Sequence, residues 1–267
     1  MRKLTRPALP TRVSQYLAKK QDEVNDGADV AGVWEAARRT KSLARVVEVL
    51  CSMVGDRERC MYCEDSRGST VEHFWPKGLY PARAFLWTNM LLLCMPCNTR
   101  KGTDFPLDES GAPLLLDPTM DDPWDHLFFE PQTGLLAARY DTQRQAADSR
   151  GQCTVDPRRS TLNDEAVAAG RRQVARRLTR IVAKGLADLV AGNPSSEVEA
   201  QMLEELQDCD DFGLREWFFA RDGAEESPFS DLRGAYRATW DQIRLVLTTT
   251  EPELWSSANS RNKRTWW

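Results

Sequence analysis

Histidine is scarce in this 267-residue chain, where His73 and His126 are the whole complement. Any imidazole chemistry therefore rests on one of two residues. Long apolar runs are missing too. The longest, residues 90–95, falls far short of the ~20 residues that a membrane-spanning helix needs, which excludes an integral membrane helix. The N-terminus, MRKLTRPALP, is basic but has neither an apolar core segment nor a small-residue cleavage site. No signal peptide is read there, and a cytoplasmic location is expected. Excess positive charge is absent, because 36 basic residues face 40 acidic ones for a net charge of -4. That excludes a histone-like surface but leaves local nucleic-acid contact open, since placement matters more than the sum. Glycine and proline, at 15 and 14 residues, are ordinary and give no reason for wholesale disorder.

The charge is placed unevenly. Residues 1–20 carry six basic and no acidic side chains, and residues 158–184 carry eight basic and two acidic ones. Residues 197–231 reverse the sign, with twelve acidic and two basic. A natural expectation is that the acidic stretch covers a basic surface. The seven cysteines are an odd number for a disulfide scaffold. Four of them, Cys60, Cys63, Cys94 and Cys97, form two CxxC pairs, the spacing that presents two thiolates per turn to one ion. A structural Zn²⁺ with four cysteine ligands is the expected occupant. Cys51, Cys153 and Cys209 lie outside the pattern and read as small buried or incidental residues.

Periodicity divides the chain into an N-terminal helical segment (1–55), a compact middle unit (56–108), an irregular or short-strand extension (109–155), a helical region (156–255) and a tail (256–267). Helices are expected over about 14–24 and 33–50, the second from a 3, 4, 3, 4, 3 apolar spacing. In the middle unit, strands are expected near 69–75 and 90–93, and the first turns of a helix at 98–102. Beyond it, short strands are expected at 113–118 and 127–130, with a hairpin turn at Gly134. Thr161 with Asp164 suggests a capping box for a long helix ending at Asn193-Pro194. Further helices are expected at about 196–206 and from about 230 through 247. The fold class is α+β, a zinc-stapled core flanked by mainly α-helical segments.

What lies between the cysteine pairs points to chemistry. Glu72 and Asn98 offer hard oxygen ligands suited to Mg²⁺ or Mn²⁺. A neutral His73 beside them is suited to deprotonating water, because its ordinary pKa is ~6.5. Phosphodiester hydrolysis asks for this pairing of a base and a cation. Asn89 has no useful acid–base pKa, and its expected task is to hold the loop or strand that orients His73. Lys77, Arg100 and Lys101 near the site, and Arg171, Arg172, Arg176 and Arg177 on the basic helix, are candidates for phosphate contacts. The bland reading of these basic residues is a solvated face or a dock for the acidic helix or a partner. Trp75 and Trp87 read more readily as core than as stacking partners for bases, and His126 as structural.

The segments CMYC at 60–63, VEHFWPK at 71–77 and WTNMLLLCMPCNTRKG at 87–102 resemble the zinc-containing branch of the HNH, or ββα-metal, endonucleases. The resemblance implies that His73 is the general base, that Glu72 and Asn98 hold the catalytic ion, and that Asn89 supports the base. It also implies that the four cysteines bind structural zinc. Many relatives carry Asp and a terminal His where Glu72 and Asn98 stand here. The longer wording, with WTNMLLLCMPCNTRKGTDFP and LLLDPTMDDPWDHLFFE, is similar to HNH proteins of Septu-type anti-phage systems and of some retron neighbourhoods. That similarity implies a DNA-cleaving effector, RNA not being excluded, that works with an SMC-like ATPase of the ABC class. Two rival readings remain open: a zinc ribbon that only binds nucleic acid or a partner, and a regulatory subunit that never cuts.

Overall fold

The computed structural model describes residues 1–209 and 212–249. Three helices open the chain: α1 (Thr11–Asn25), α2 (Val30–Ala37) and α3 (Lys41–Met53). The single helix expected over 33–50 is two, because the chain turns at residues 38–40. Thr40 is extended there, and its hydroxyl accepts the Leu43 N–H at 3.4 Å to start α3 afresh. The expected stripe of Val33, Ala36, Thr40, Leu43, Val47 and Leu50 holds only beyond the break, where Leu43, Val47 and Leu50 are buried; in α2 the buried residues are Trp34 and Ala37, while Ala36 is exposed.

The middle unit is a minimal sheet with a helix on it. β1 (Thr70–His73) and β2 (Met90–Leu93) pair antiparallel, with Glu72 opposite Leu91 and His73 opposite Met90. All four residues of β2 are buried, as its unbroken apolar sequence requires. α4 (Met95–Lys101) follows almost at once, with Pro96 in its first turn and Gly102 at its C-cap. It begins earlier than the sequence suggested, so Asn98 lies inside the helix and not at its start. Arg6 ties the N-terminal segment to this unit: its guanidinium donates to Trp87 O at 2.8 Å, Met90 O at 2.9 Å and Thr119 Oγ1 at 2.9 Å.

A short helix α5 (Pro123–His126) leads into the hairpin of β3 (Leu127–Glu130) and β4 (Leu135–Ala138). A smaller hairpin joins β5 (Tyr140–Asp141) to β6 (Ala146–Ala147). The strand expected at 113–118 is reduced to an isolated bridge between Leu107 and Pro113. α6 (Ser149–Val155) was not foreseen; its start is fixed by Asp148, which accepts from Gly151 N at 2.6 Å. The long α7 (Glu165–Val190) carries no capping box. Thr161 and Asp164 are engaged elsewhere, with Cys97 and Arg100. α8 (Ser195–Gln207) packs on α7, where Gly185 leaves room for Met202. α9 (Leu214–Ala220) is too short to announce itself by period. The helix expected from about 230 is broken at Tyr236 into α10 (Phe229–Ala235) and α11 (Arg237–Thr249). The tail at 256–267 lies outside the described residues.

The result is a mixed helix and small-sheet protein whose strands form three two-stranded antiparallel sheets among the described residues. One buried cluster runs from α1–α3 through β2 into the aromatic residues Trp124, Trp217, Phe219, Phe229 and Trp240. The expected segment boundaries thus divide the sequence but not the core.

Gly134 shows how tightly the hairpin is seated. It turns the chain with φ of +79°, and a Cβ there would stand 1.9 Å from the Ala168 carbonyl oxygen in α7. Replacing Gly134 by Ala should cost at least ~2 kcal/mol, combining left-handed strain with overpacking against backbone that cannot yield. A fall in melting temperature of ~5 °C or more in calorimetry is the expected result.

Candidate functional site

Two knuckles bring the cysteines together. In the first, Cys60 N–H donates to Ser66 O at 2.9 Å and Glu64 N–H to Cys60 O at 3.0 Å, curling CMYC back on itself. Met61 N–H then bonds Leu92 O at 2.9 Å, so the knuckle hangs on β2. In the second, Cys94 caps α4 and Cys97 lies in its first turn. The four sulphur atoms lie within 4.8 Å of one another, all buried, with Cys63 Sγ and Cys94 Sγ 3.8 Å apart. A tetrahedral zinc with Zn–S bonds of ~2.3 Å has S···S edges of ~3.8 Å, so the donor set and the spacing both fit that ion. Burial pushes the Cys60 thiol well up, which a cation among the sulphurs would reverse.

Arg171 is a correction. Expected on a nucleic-acid surface, it is fully buried in α7 and donates to Gly134 O at 2.8 Å and to Leu162 O. Burial draws it down to about 10, still a cation at neutral pH, and Cys63 and Glu64 are among the charges acting on it. A buried guanidinium of this kind balances negative charge near the thiolates and cannot reach solvent. Its Nη1 is buried without a hydrogen bond.

The end of β1 carries the other candidates, and strand alternation sorts them. Thr70 and Glu72 face α4: Asn98 Nδ2 donates to Thr70 Oγ1 at 3.1 Å, and Lys101 Nζ pairs with Glu72 Oε1 at 2.9 Å. Lys101 also donates to His73 O at 2.7 Å and is buried, which lowers its pKa although Glu72 opposes the shift. It is therefore an interior clamp between α4 and β1, and the expected exposed phosphate contact is not what the fold makes of it. Among the described residues the second oxygen of Glu72 and the amide oxygen of Asn98 accept no hydrogen bond, so these two atoms remain able to hold a divalent ion.

His73 faces the other way. Its Nε2 lies 2.9 Å from Ala84 O, and its ring meets Trp34 edge-on with centroids 4.3 Å apart. A carbonyl can only accept, so Nε2 carries the proton and Nδ1 keeps its lone pair. Burial, reinforced by Lys77 and Lys101 and opposed by the Ala84 bond, pushes the imidazole down to about 3, so it is neutral at pH 7. The structure thus does not point Glu72, His73 and Asn98 into one cleft. It sets an acid–amide pair and an imidazole on two sides of one strand end.

Asn89 is buried at the base of the loop between the strands. Its Oδ1 accepts from Trp75 N at 2.7 Å, while Nδ2 donates to Trp75 O at 3.0 Å and Arg83 O at 2.9 Å. It binds the two ends of the loop that supplies Ala84. Lys77 lies over the Trp34 ring at 5.9 Å, with no ion pair among the described residues. Arg100 is held by Asp164 at 2.5 Å and Ser160 O at 3.0 Å. On α7, Arg177 lies 3.6 Å from Asp208 and Lys184 is 3.1 Å from Glu205, so the acidic stretch reaches the basic helix at two points. Arg172 and Arg176 form no ion pair among the described residues. His126 bonds Asp148, the cap of α6, at 3.1 Å. Trp75 packs against Phe105 and Tyr80 under Arg83, and Trp87 lies under Arg6. Sequence reading missed Gln21 and Trp34, which lie far ahead of the motif and carry no signal of their contacts with it.

If the cysteine cluster is a metal-held staple, stripping the metal removes folding free energy. A strong chelator should then unfold the middle unit, and the pair Cys94→Ser with Cys97→Ser should lose the bound metal. Metal analysis and circular dichroism read both outcomes.

Two Septu proteins PtuB are similar to part of this chain. The one from Bacillus thuringiensis is 39% identical over 74 residues, 26% of this chain and 27% of that protein. The one from Bacillus mycoides (strain KBAB4) is 36% identical over 108 residues, 29% of this chain and 36% of that protein. The chain therefore aligns with about a quarter to a third of the length of these curated relatives. No family model matches the chain, and no solved structure matches it.

Proposed function

We propose that this protein is a metal-dependent HNH-type endonuclease that hydrolyses phosphodiester bonds in DNA, as the effector of an anti-phage defence complex. The observation that carries this reading is His73, a buried imidazole whose Nε2–H is committed to a backbone carbonyl, leaving Nδ1 as a base. β1, β2 and α4 are read as a ββα-metal core stapled by zinc on Cys60, Cys63, Cys94 and Cys97. The motif wording and the local similarity to Septu proteins support the defence setting and an SMC-like, ABC-class ATPase as partner.

The chemistry follows from the strand end. His73 Nδ1 accepts the proton of an attacking water. Its low pKa keeps the lone pair available at neutral pH, and the negative charge of a bound phosphodiester raises its basicity when substrate is present. Glu72 and Asn98 would hold Mg²⁺ or Mn²⁺, which supplies stabilisation of charge on the phosphate and the leaving 3′-oxygen. Glu72 and His73 are consecutive and so lie on opposite faces of β1; in this reading the ion would be held on the α4 side, and the phosphate would have to reach the imidazole around the strand end. Lys101 keeps Glu72 in place, and Asn89 keeps the loop of Ala84 closed. Among the described residues Lys77 is a cation without an ion pair that acts on the imidazole, and it is the leading phosphate contact, with Arg172 and Arg176 as remoter ones.

A cleavage assay on DNA and RNA, with and without the ATPase, tests this. His73→Ala should stay folded and metal-loaded while cleavage falls by ~10²–10⁴-fold. Withholding Mg²⁺ and Mn²⁺ while sparing zinc should stop cutting with the fold intact. A wild-type protein that binds nucleic acid or the ATPase but never cuts would instead make it a binding or regulatory subunit.

A further inference from the structure

The motif does not hold its own base. Ala84, whose carbonyl fixes His73, lies in a turn that α1 grips from outside the motif. Gln21 is buried, accepts the Phe85 N–H at 2.9 Å and donates to Pro81 O at 3.1 Å. Its amide also reaches Asn25 at 3.0 Å, which sets its own orientation. From α2, Trp34 supplies the wall against which the imidazole stands, 4.3 Å between centroids at 72°. The same indole packs on Phe85 at 5.5 Å and lies under the Lys77 ammonium at 5.9 Å. One side chain thus touches the imidazole, the residue after its carbonyl partner, and the Lys77 ammonium.

We infer that Trp34 and Gln21, on the N-terminal helices, are positioning residues for the reaction, with Trp34 setting the ring plane of His73 and the place of Lys77, and Gln21 holding the Ala84 carbonyl. This inference rests on the nuclease reading for its consequence in rate, but its geometric content stands apart from it. A hydrogen bond to a carbonyl restrains a ring along one axis and leaves rotation about that axis free. An aromatic face at contact distance removes this second freedom. Cationic Lys77, held by the indole face, is in turn kept beside the imidazole, and among the described residues no acidic partner neutralises it. The N-terminal helices are then part of the catalytic apparatus, and a partner that moved α1 or α2 would change the rate without touching the motif.

The test uses the full chain. Trp34→Leu removes the aromatic wall, Trp34→Phe restores one, and Gln21→Met removes the turn's two hydrogen bonds at similar volume. Trp34→Leu should lower kcat by ~10–100-fold with KM nearly unchanged, the penalty of a misplaced reactive group, and Trp34→Phe should recover most of it. Imidazole nitrogen shifts in NMR give a readout independent of cleavage. Wild type should show a single Nε2–H tautomer; Gln21→Met should show mixed tautomers, and Trp34→Leu should shift and broaden the ring resonances, with melting temperature and metal content preserved. If Trp34→Leu does not fold, Gln21→Met carries the same measurements from another helix. Unchanged imidazole shifts in the folded variants overturn the inference, whatever the activity. A wild type that does not cut, together with shifted variant spectra, upholds the positioning and overturns only the nuclease reading.

Discussion

Four thiols within 4.8 Å of one another in a buried site cannot all ionise unless a cation stands among them. That constraint organises the middle of the molecule. The two knuckles that carry the sulphurs are also the attachment points of β2 and α4. A four-residue, two-stranded sheet has little stability of its own, so the register that places His73 opposite Met90 depends on the knuckles and on burial of β2. The buried guanidinium of Arg171 and the Thr161 hydroxyl, 2.9 Å from Cys97, extend the same centre into the C-terminal half. Here one arginine of the basic helix, Arg171, serves the interior, while Arg176, Arg177, Arg180 and Lys184 stay exposed.

At the strand end, a second constraint operates. A buried imidazole held in one definite orientation needs partners, and a short strand followed by a long loop does not provide them alone. The loop from Phe74 to Thr88 is therefore closed from two directions. Asn89 binds its ends with three hydrogen bonds from within the motif, and Gln21 binds its middle from α1. Lys101 has a comparable part on the opposite face, where a buried cation bridges Glu72 and the backbone of His73.

The two CxxC spacings were legible as one cluster because thiol ligands carry their chemistry and turn geometry with them, whereas the sequence did not show that Glu72 and His73 face opposite sides of β1. The strand at 90–93 and the hairpin turn at Gly134 were legible too, as an apolar run and a glycine in a polar stretch. Less of the helical region could be read. Periodicity over 230–247 named the buried face, and over 33–50 it did so only beyond the break, at Leu43, Val47 and Leu50; in both it ran through the breaks at residues 38–40 and Tyr236. The capping box at Thr161 failed because both of its side chains found partners across the fold, with Cys97 and Arg100, that no local window contains.

Local sequence thus determined which donors were present and how the cysteines were spaced, since ligand chemistry and turn geometry act over a few residues. Tertiary structure alone decided which basic side chains face solvent. It drew Arg171 inside, where carbonyl hydrogen bonds hold it, and Lys101 inside, where Glu72 pairs with it, and among the described residues it left Lys77, Arg172 and Arg176 without ion pairs. It also decided that Glu72 and His73 lie on two sides of one strand end, that Trp34 stands at the imidazole and that Gln21 holds the turn beside it. Contacts between residues so far apart in the chain depend on how helices pack, and packing is written in the whole core.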